Sequence, residues 1–281
     1  MRRFNRQSLF GVSLLGLVAF APAVEAQLYS DGMKAFEAGN GGEAIEIWNV
    51  LAEEGDAQAQ YSLAKLYETG LGQIEPDLKR AEQWYLAASK SGLVAADNNL
   101  AVLYADSDSV LYNWDKALEH WKYASQEGHS VAQYNYGLAL LRESQPLEGD
   151  GKKDLEDEAF LWFDKASESG MNDARYAMAR YYDDKLPEGS EARHNLRLLL
   201  QQAADEGHIA SLELLGQLPE LAPLEQKPAG SSAEEESAAE TSSEEEQESN
   251  SVQLTENWPA DIPFPKRRPD PDAPGVPKKR P

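Results

Sequence analysis

Apolar, small and polar positions follow one register that restarts after each of five glycines. These are Gly55, Gly92, Gly128, Gly170 and Gly207, separated by 37, 36, 42 and 37 residues. Four residues after each stands a small side chain: Ala59, Ala96, Ala132, Ala174 or Ser211. Eight after stands a large one (Leu63, Leu100, Tyr136, Met178, Leu215), and nine after a small one (Ala64, Ala101, Gly137, Ala179, Gly216). Twelve after, Tyr67, Tyr104, Leu140 and Tyr182 are large again. Spacings of four place these residues above one another on a helix, so each glycine precedes a first helix, A.

A second helix, B, runs up to the next glycine. Eleven residues before it lie Ala44, Ala81, Ala117, Ala159 and Leu196. Seven before come Trp48, Tyr85, Trp121, Phe163 and Leu200, and four before come Leu51, Ala88, Ala124, Ala166 and Ala203. The glycine itself falls where a helix C-terminus calls for a left-handed residue. A repeat of this period predicts helix pairs stacked into a solenoid.

The N-terminus reads as a processing segment over 1–26. Arg2, Arg3 and Arg6 precede an apolar run from Leu9 to Phe20, and small residues up to Ala26 suit a signal peptidase, leaving Gln27 as the first mature residue. The run is short for a membrane span, and no later stretch is apolar enough for one. An uncleaved anchor is the alternative. The chain has no cysteine, which excludes both a lipoprotein anchor and disulfide stapling. Periplasmic or secreted export, stability through packing alone, and a monomer are expected.

Net charge is −23, which opposes binding to nucleic acid. Residues 234–248 hold eight glutamates and no basic residue, so the tail over 221–281 is expected to be disordered. It ends in a proline-rich basic stretch, Trp258-Pro259-Ala260-Asp261-Ile262-Pro263-Phe264-Pro265-Lys266-Arg267-Arg268, for which polyproline-like geometry is expected. Three readings of the tail stand open: a solubilising extension, a docking element for a partner, or a basic end that folds back on the acidic repeats.

The run Lys79-Arg80-Ala81-Glu82-Gln83-Trp84-Tyr85-Leu86-Ala87-Ala88-Ser89-Lys90-Ser91-Gly92, with the turn Tyr67-Glu68-Thr69-Gly70-Leu71-Gly72, resembles the Sel-one-like repeat (SLR), a relative of the tetratricopeptide repeat. The resemblance covers residues 56–208 and is weaker in the first pair. It implies an all-α, right-handed α-solenoid of about four and a half helix pairs over 27–220, with repeats at 28–55, 56–92, 93–128, 129–170 and 171–207 and a cap at 208–218. In the repeat ending at Gly170, Glu148 to Lys153 are expected to lengthen the loop between helices. The next repeat replaces the Trp-Tyr pair by Leu199-Leu200.

Relatives of this kind serve as adaptors in secretion, motility and signalling complexes, which implies a non-catalytic scaffold that binds a protein or peptide partner in the cell envelope. In tetratricopeptide relatives one face of helix A lines the concave groove and contacts peptides, so the partner is expected in that groove. Here that face would present Tyr61, Lys65, Asn98, Asn99, Tyr134, Asn135, Tyr176 and Arg180. Aromatic rings offer apolar contact, and amide side chains pair with extended backbone. The alternative, that Tyr61, Tyr134 and Tyr176 only plug gaps between adjacent repeats, stays open.

Little speaks for chemistry. Ser62-Leu63-Ala64-Lys65 has the Ser-x-x-Lys spacing of serine β-lactamases but lacks their Ser-Asp-Asn and Lys-Thr-Gly partners. His120, His129, His194 and His208 form no ligand pair, so no metal or cofactor is expected. His129 and His208 directly follow repeat glycines, a repeat position rather than a site. A cell-wall-directed module, binding glycans or acting on β-lactams or peptidoglycan, is the rival reading.

Overall fold

The computed structural model describes residues 17–220; the start of the signal-like segment and the tail from 221 lie outside the described residues. Within them the chain is an all-α repeat solenoid of eleven helices. In chain order these are α1 (Leu17–Glu37), α2 (Gly41–Glu53), α3 (Ala57–Thr69), α4 (Leu78–Lys90), α5 (Val94–Ala105), α6 (Trp114–Gln126), α7 (Ser130–Ser144), α8 (Gly149–Glu168), α9 (Asn172–Tyr182), α10 (Glu191–Asp205) and α11 (Ile209–Gln217). They make five A–B pairs and a closing helix. Helix α1 runs through the cleavage point expected after Ala26.

The chain divides into two compact units within α6, between His120 and Trp121. In the first, α1 packs on α2, α2 on α3, α3 on α4 and α4 on α5. In the second, α7 packs on α8, α8 on α9, α9 on α10 and α10 on α11. The small residues at the A-helix contact positions are buried from Ala59 to Ala179, and so are Trp48, Tyr85, Trp121, Phe163 and Leu200.

Each B helix ends in the same way. Gly55, Gly92, Gly128, Gly170 and Gly207 have φ between 82° and 95°, the left-handed region open to glycine at no steric cost. The residue after the glycine then donates its N–H to the carbonyl five back: Asp56 to Leu51, Leu93 to Ala88, His129 to Ala124, Met171 to Ala166 and His208 to Ala203. This is the six-to-one bond of a Schellman motif, and it turns the chain directly into the next A helix. Asp56, His129 and His208 also cap that helix, accepting from the backbone N–H of Ala59, Ala132 and Ser211 respectively.

Burial holds the His129 imidazole below its ordinary pKa, so the folded state favours the neutral, accepting ring. A histidine depressed in this way contributes stability above the unfolded value near 6.5 that is lost as pH falls through the folded one. The His129→Ala variant is expected to lose about 1 kcal/mol in urea unfolding at neutral pH, a gap that narrows at pH 5.

Two features depart from expectation. Gly149 to Lys153 are the first turns of α8, not a lengthened loop. Helix α8 starts 21 residues before its glycine, whereas α4 and α6 start 14 before theirs. Lysine and acidic residues from Asp150 to Glu158 suit a helix, Asp150 lies in the first turn, and Gly149 (φ 61°) supplies the turn into it. The added turns are tied to α9, for the buried Glu156 accepts from Tyr181 Oη at 2.8 Å and its backbone carbonyl from Tyr182 Oη at 2.7 Å. At α11, Leu215 is half-buried and Gly216 exposed, because no described helix stacks beyond them.

Gly137 shows how tight the repeat contacts are. A Cβ there would lie 2.8 Å from Cε1 and 3.0 Å from Cδ1 of the buried Phe163 ring. The Gly137→Leu variant is expected to destabilise by about 1–3 kcal/mol in urea unfolding; an unchanged midpoint would mean that α7 and α8 do not meet in this register.

Candidate partner-binding face

In the first unit the predicted residues converge on one hydrogen-bonded network. Asn99 of α5 donates from Nδ2 to the hydroxyls of Tyr61 on α3 and Tyr85 on α4, both at 3.0 Å, and Asn98 donates to Asn99 Oδ1 at 3.2 Å. Tyr85 in turn donates to Glu68 Oε2 at 2.6 Å, and Lys65 pairs with that oxygen at 3.5 Å. Burial and the Glu68 carboxylate hold the Tyr85 phenol far above its ordinary pKa, so it stays a donor. The Tyr61 and Tyr85 rings meet edge-to-face at 5.6 Å.

Asn98 is buried and Asn99 half-buried, with both amide hydrogens of Asn99 engaged inside the unit. Lys65 extends outward, its side chain 45% exposed. Tyr61 therefore both lines the face and ties α3 to α5.

In the second unit, Tyr134 is half-buried against Phe163, ring centroids 5.8 Å apart, and Asn135 is half-buried beside it. Tyr176 is half-buried and meets His208 edge-to-face at 5.8 Å, while Arg180 is exposed. Burial raises the Tyr134 pKa, with Asp173 and Tyr176 adding to the effect.

A second set of residues escaped the sequence reading. Five positions after four of the five repeat glycines a buried polar side chain reaches back to the preceding B helix; after Gly207 the exposed Leu212 takes that place. Gln60 donates to the Ala52 carbonyl at 3.0 Å, Gln133 to Ser125 at 3.3 Å and Arg175 to Ser167 at 3.5 Å. Asp97 reverses the direction and accepts from Ser89 Oγ at 2.9 Å. Two also reach the end of the following B helix, where Ser91 donates to Gln60 at 3.0 Å and Arg175 donates to Glu206 at 3.1 Å. The detectable signal was a polar residue at constant register beside two core positions; its changing identity hid it.

The remaining chemistry resolves into structural contacts. Ser62 shares a hydrogen bond with Tyr29 Oη at 3.0 Å, while Lys65 turns to Glu68. His120 Nδ1 lies 2.9 Å from Asp97 Oδ1, with Tyr104 stacked on the imidazole at 5.7 Å. Among the described residues no group of three or more histidine or acidic side chains is placed to hold a metal ion, and no helix is long and apolar enough to cross a membrane.

Paired helices closed by left-handed glycines, with side-chain clamps between successive pairs, define a helical-hairpin repeat protein. Residues 57–93, 94–129 and 130–171 each match the Sel1 repeat. These are α3–α4, α5–α6 and α7–α8; α9–α10 lies beyond the matched segments yet keeps the same glycine geometry. In sequence the chain is similar to a chitin synthase regulator, SKT5, of Saccharomyces cerevisiae, at 31% identity over 47% of this chain and 19% of that one. It is also similar to an uncharacterized protein of Neisseria meningitidis serogroup B, at 26% over 63% of this chain and 34% of that one. The chain thus spans between a fifth and about a third of these relatives.

Among solved structures, a Sel1 repeat protein from Oxalobacter formigenes superposes with a TM-score of 0.54 at 20% identity, covering 67% of this chain and 74% of its own. A protective antigen of uropathogenic Escherichia coli with an SLR fold gives 0.50 at 22%, covering 72% and 50%.

Proposed function

We propose that this chain is a non-catalytic scaffold of the bacterial cell envelope that binds a protein or peptide partner on its helix A faces. The observation that carries the reading is the face itself. Half-buried rings at one register (Tyr61, Tyr134, Tyr176) stand beside the outward cations Lys65 and Arg180, on repeats of a family built for protein contacts. Rigid aromatic surface flanked by charge is the composition of a protein interface. The relative from Saccharomyces cerevisiae is named as the regulator of an enzyme, which favours an accessory role for such repeats. Export rests on the N-terminal pattern of 1–26, and a monomer is assumed.

The test is affinity capture from a crosslinked envelope extract with the full mature chain as bait. Lys65 and Arg180 both extend outward, so the Lys65→Glu/Arg180→Glu variant, checked by circular dichroism for a parent-like helical spectrum, should recover the partner at least tenfold less. Equal recovery by both baits would remove the partner from this face. Recovery of peptidoglycan instead of a protein would support the cell-wall reading.

A further inference from the structure

The first unit carries a second surface, separate from the helix A face. An open cleft of about 840 Å³ lies between α2, the α3–α4 turn and the start of α4, and continues into a smaller one of about 380 Å³ along α4. Tyr67 and Arg80 line both. Ile45, Ile74 and Pro76 line the larger beside Gln73, and Trp84 lines the smaller beside Asn49 and Gln83, so aromatic and aliphatic side chains alternate with amides along the floor.

The cleft is rigidly built. The Arg80 guanidinium stands 5.3 Å over the Tyr67 ring and pairs with Asp77 at 3.3 Å. The turn beneath is fixed by close backbone contacts: a Cβ on Gly41 would lie 2.6 Å from the Leu71 carbonyl, and one on Gly72 would lie 2.7 Å from that of Gly39. With Arg80 bound to Asp77 and the exposed Lys79 on the same rim, the exposed Glu46 and Glu75 leave it with a net charge of −1.

We propose that this cleft is the docking site of the chain's own C-terminal segment Trp258–Arg268. Three observations select this occupant. First, aromatic-lined grooves with acidic rims take proline-rich extended segments, whose low entropy lessens the cost of binding. This segment places Pro259, Pro263 and Pro265 among Trp258, Ile262 and Phe264, directly before Lys266-Arg267-Arg268. Second, the charges are complementary. Residues 27–120 carry 16 acidic and six basic side chains, whereas residues 258–281 carry six basic and three acidic ones. The glutamate tract at 234–248 has the wrong sign for the rim. Third, the 37 residues between Glu220 and Trp258 form a long tether, with an extended length of roughly 125 Å.

Docked in this way, Trp258, Ile262 and Phe264 cover the Tyr67–Trp84 floor, and Lys266 and Arg267 meet Glu46 and Glu75. The proposal is independent of the helix A reading, because neither the cleft nor the tail belongs to that face. It makes the tail a built-in competitor for any proline-rich partner of the cleft.

Zero-length carbodiimide crosslinking of the full mature chain, mapped by mass spectrometry in the monomer fraction, tests it. Lys266 should link to Glu46 or Glu75. The yield should fall at least fivefold in 0.5 M salt, as screening shortens to a few ångströms, and at least fivefold in Trp258→Ala/Phe264→Ala. These substitutions lie outside the helical repeats, so the fold is not at stake. A synthetic peptide of residues 256–270 in excess should suppress the link as well. Absence of the link, its restriction to dimers, or a yield indifferent to the double substitution would overturn the proposal.

Discussion

Replacing Asp183 by alanine is expected to destabilise the second unit by about 3–5 kcal/mol, the cost of removing one partner from a buried ion cluster. Asp183 opens a short 3₁₀ turn, Asp183–Lys185, directly after α9. Arg197 on α10 grips it with two donors, Nε to Oδ1 and Nη2 to Oδ2, the latter at 2.8 Å. Arg193, one turn earlier, adds Nη2 to Oδ2 at 3.0 Å. Both guanidiniums reach further, Arg193 to the Leu186 carbonyl at 3.4 Å and Arg197 to that of Pro219 at 3.0 Å. One carboxylate thus organises the end of α9, the face of α10 and the chain leaving α11.

The three side chains are 4%, 10% and 8% exposed for Asp183, Arg193 and Arg197, so alanine would strand two cations away from water. Urea unfolding followed by circular dichroism gives the loss. Replacing all three together (Asp183→Leu/Arg193→Met/Arg197→Met) should recover most of it, because apolar residues of similar volume remove the stranded charges. A loss below 1 kcal/mol for alanine would mean that water reaches the cluster.

The pH dependence follows from the same geometry. Burial alone would raise the Asp183 carboxyl, but its bonds to Arg197 and Arg193 outweigh that and hold it below the usual range. A depressed carboxylate contributes stability that is complete above its unfolded pKa near 4 and lost as pH falls through the folded value. The parent should therefore lose stability below about pH 4 more steeply than the triple variant.

The Asp183 cluster also marks a limit of sequence reading. Repeat glycines, small contact residues and large B-helix anchors were legible because the same residue class returns at each period and a single geometry uses it. Asp183 stands thirteen residues after its repeat glycine, where the other repeats hold Glu68, Ala105 and Leu141, so no constant residue class marks the position. It acts through arginines 10 and 14 residues onward, a distance at which no periodic signal links them. The Gln60, Asp97, Gln133 and Arg175 clamps kept their register but changed type, so the pattern of large and small residues passed over them. The insertion at Glu148 misled for a different reason. Its two glycines suggest a loop, yet one serves as the turn into α8 and the helix formers that follow decide the outcome.

The candidate face was legible as a register but not as an orientation. Position six after the glycine lies between the core stripe and the open side of helix A, so a small rotation decides its exposure. Asn98 falls inward while Tyr61, Tyr134 and Tyr176 stay half-exposed at the same register. The Tyr61 ring reaches the edge, whereas the short amide of Asn98 is covered and bonds to Asn99. Repeat arithmetic alone does not resolve a difference set by side-chain length and local packing.

The second large effect is expected at Trp48, the anchor of the first pair, where alanine should cost about 3–5 kcal/mol. The indole is 1% exposed, lies 6.2 Å from the Tyr29 ring and 5.8 Å from that of Phe36, and donates from Nε1 to the Tyr29 carbonyl at 3.4 Å. Gly32, between those two aromatics on α1, makes room for it. A Cβ there would lie 2.3 Å from Nε1 and 2.6 Å from Cδ1, inside any allowed contact. Gly32→Ala in the parent should therefore destabilise by about 1–3 kcal/mol, although alanine is the better helix former.

In the Trp48→Ala background the same substitution should be neutral or stabilising, since the methyl enters vacated space and the helix preference is no longer opposed. The sign reversal is a coupling energy between two residues in contact, measured by urea unfolding of the four proteins in the cycle. Additive effects would mean that α1 does not sit on α2 as described. All of α1 needed for this contact, Tyr29 to Phe36, lies after Ala26, so signal cleavage there would leave the anchor of the first pair in place.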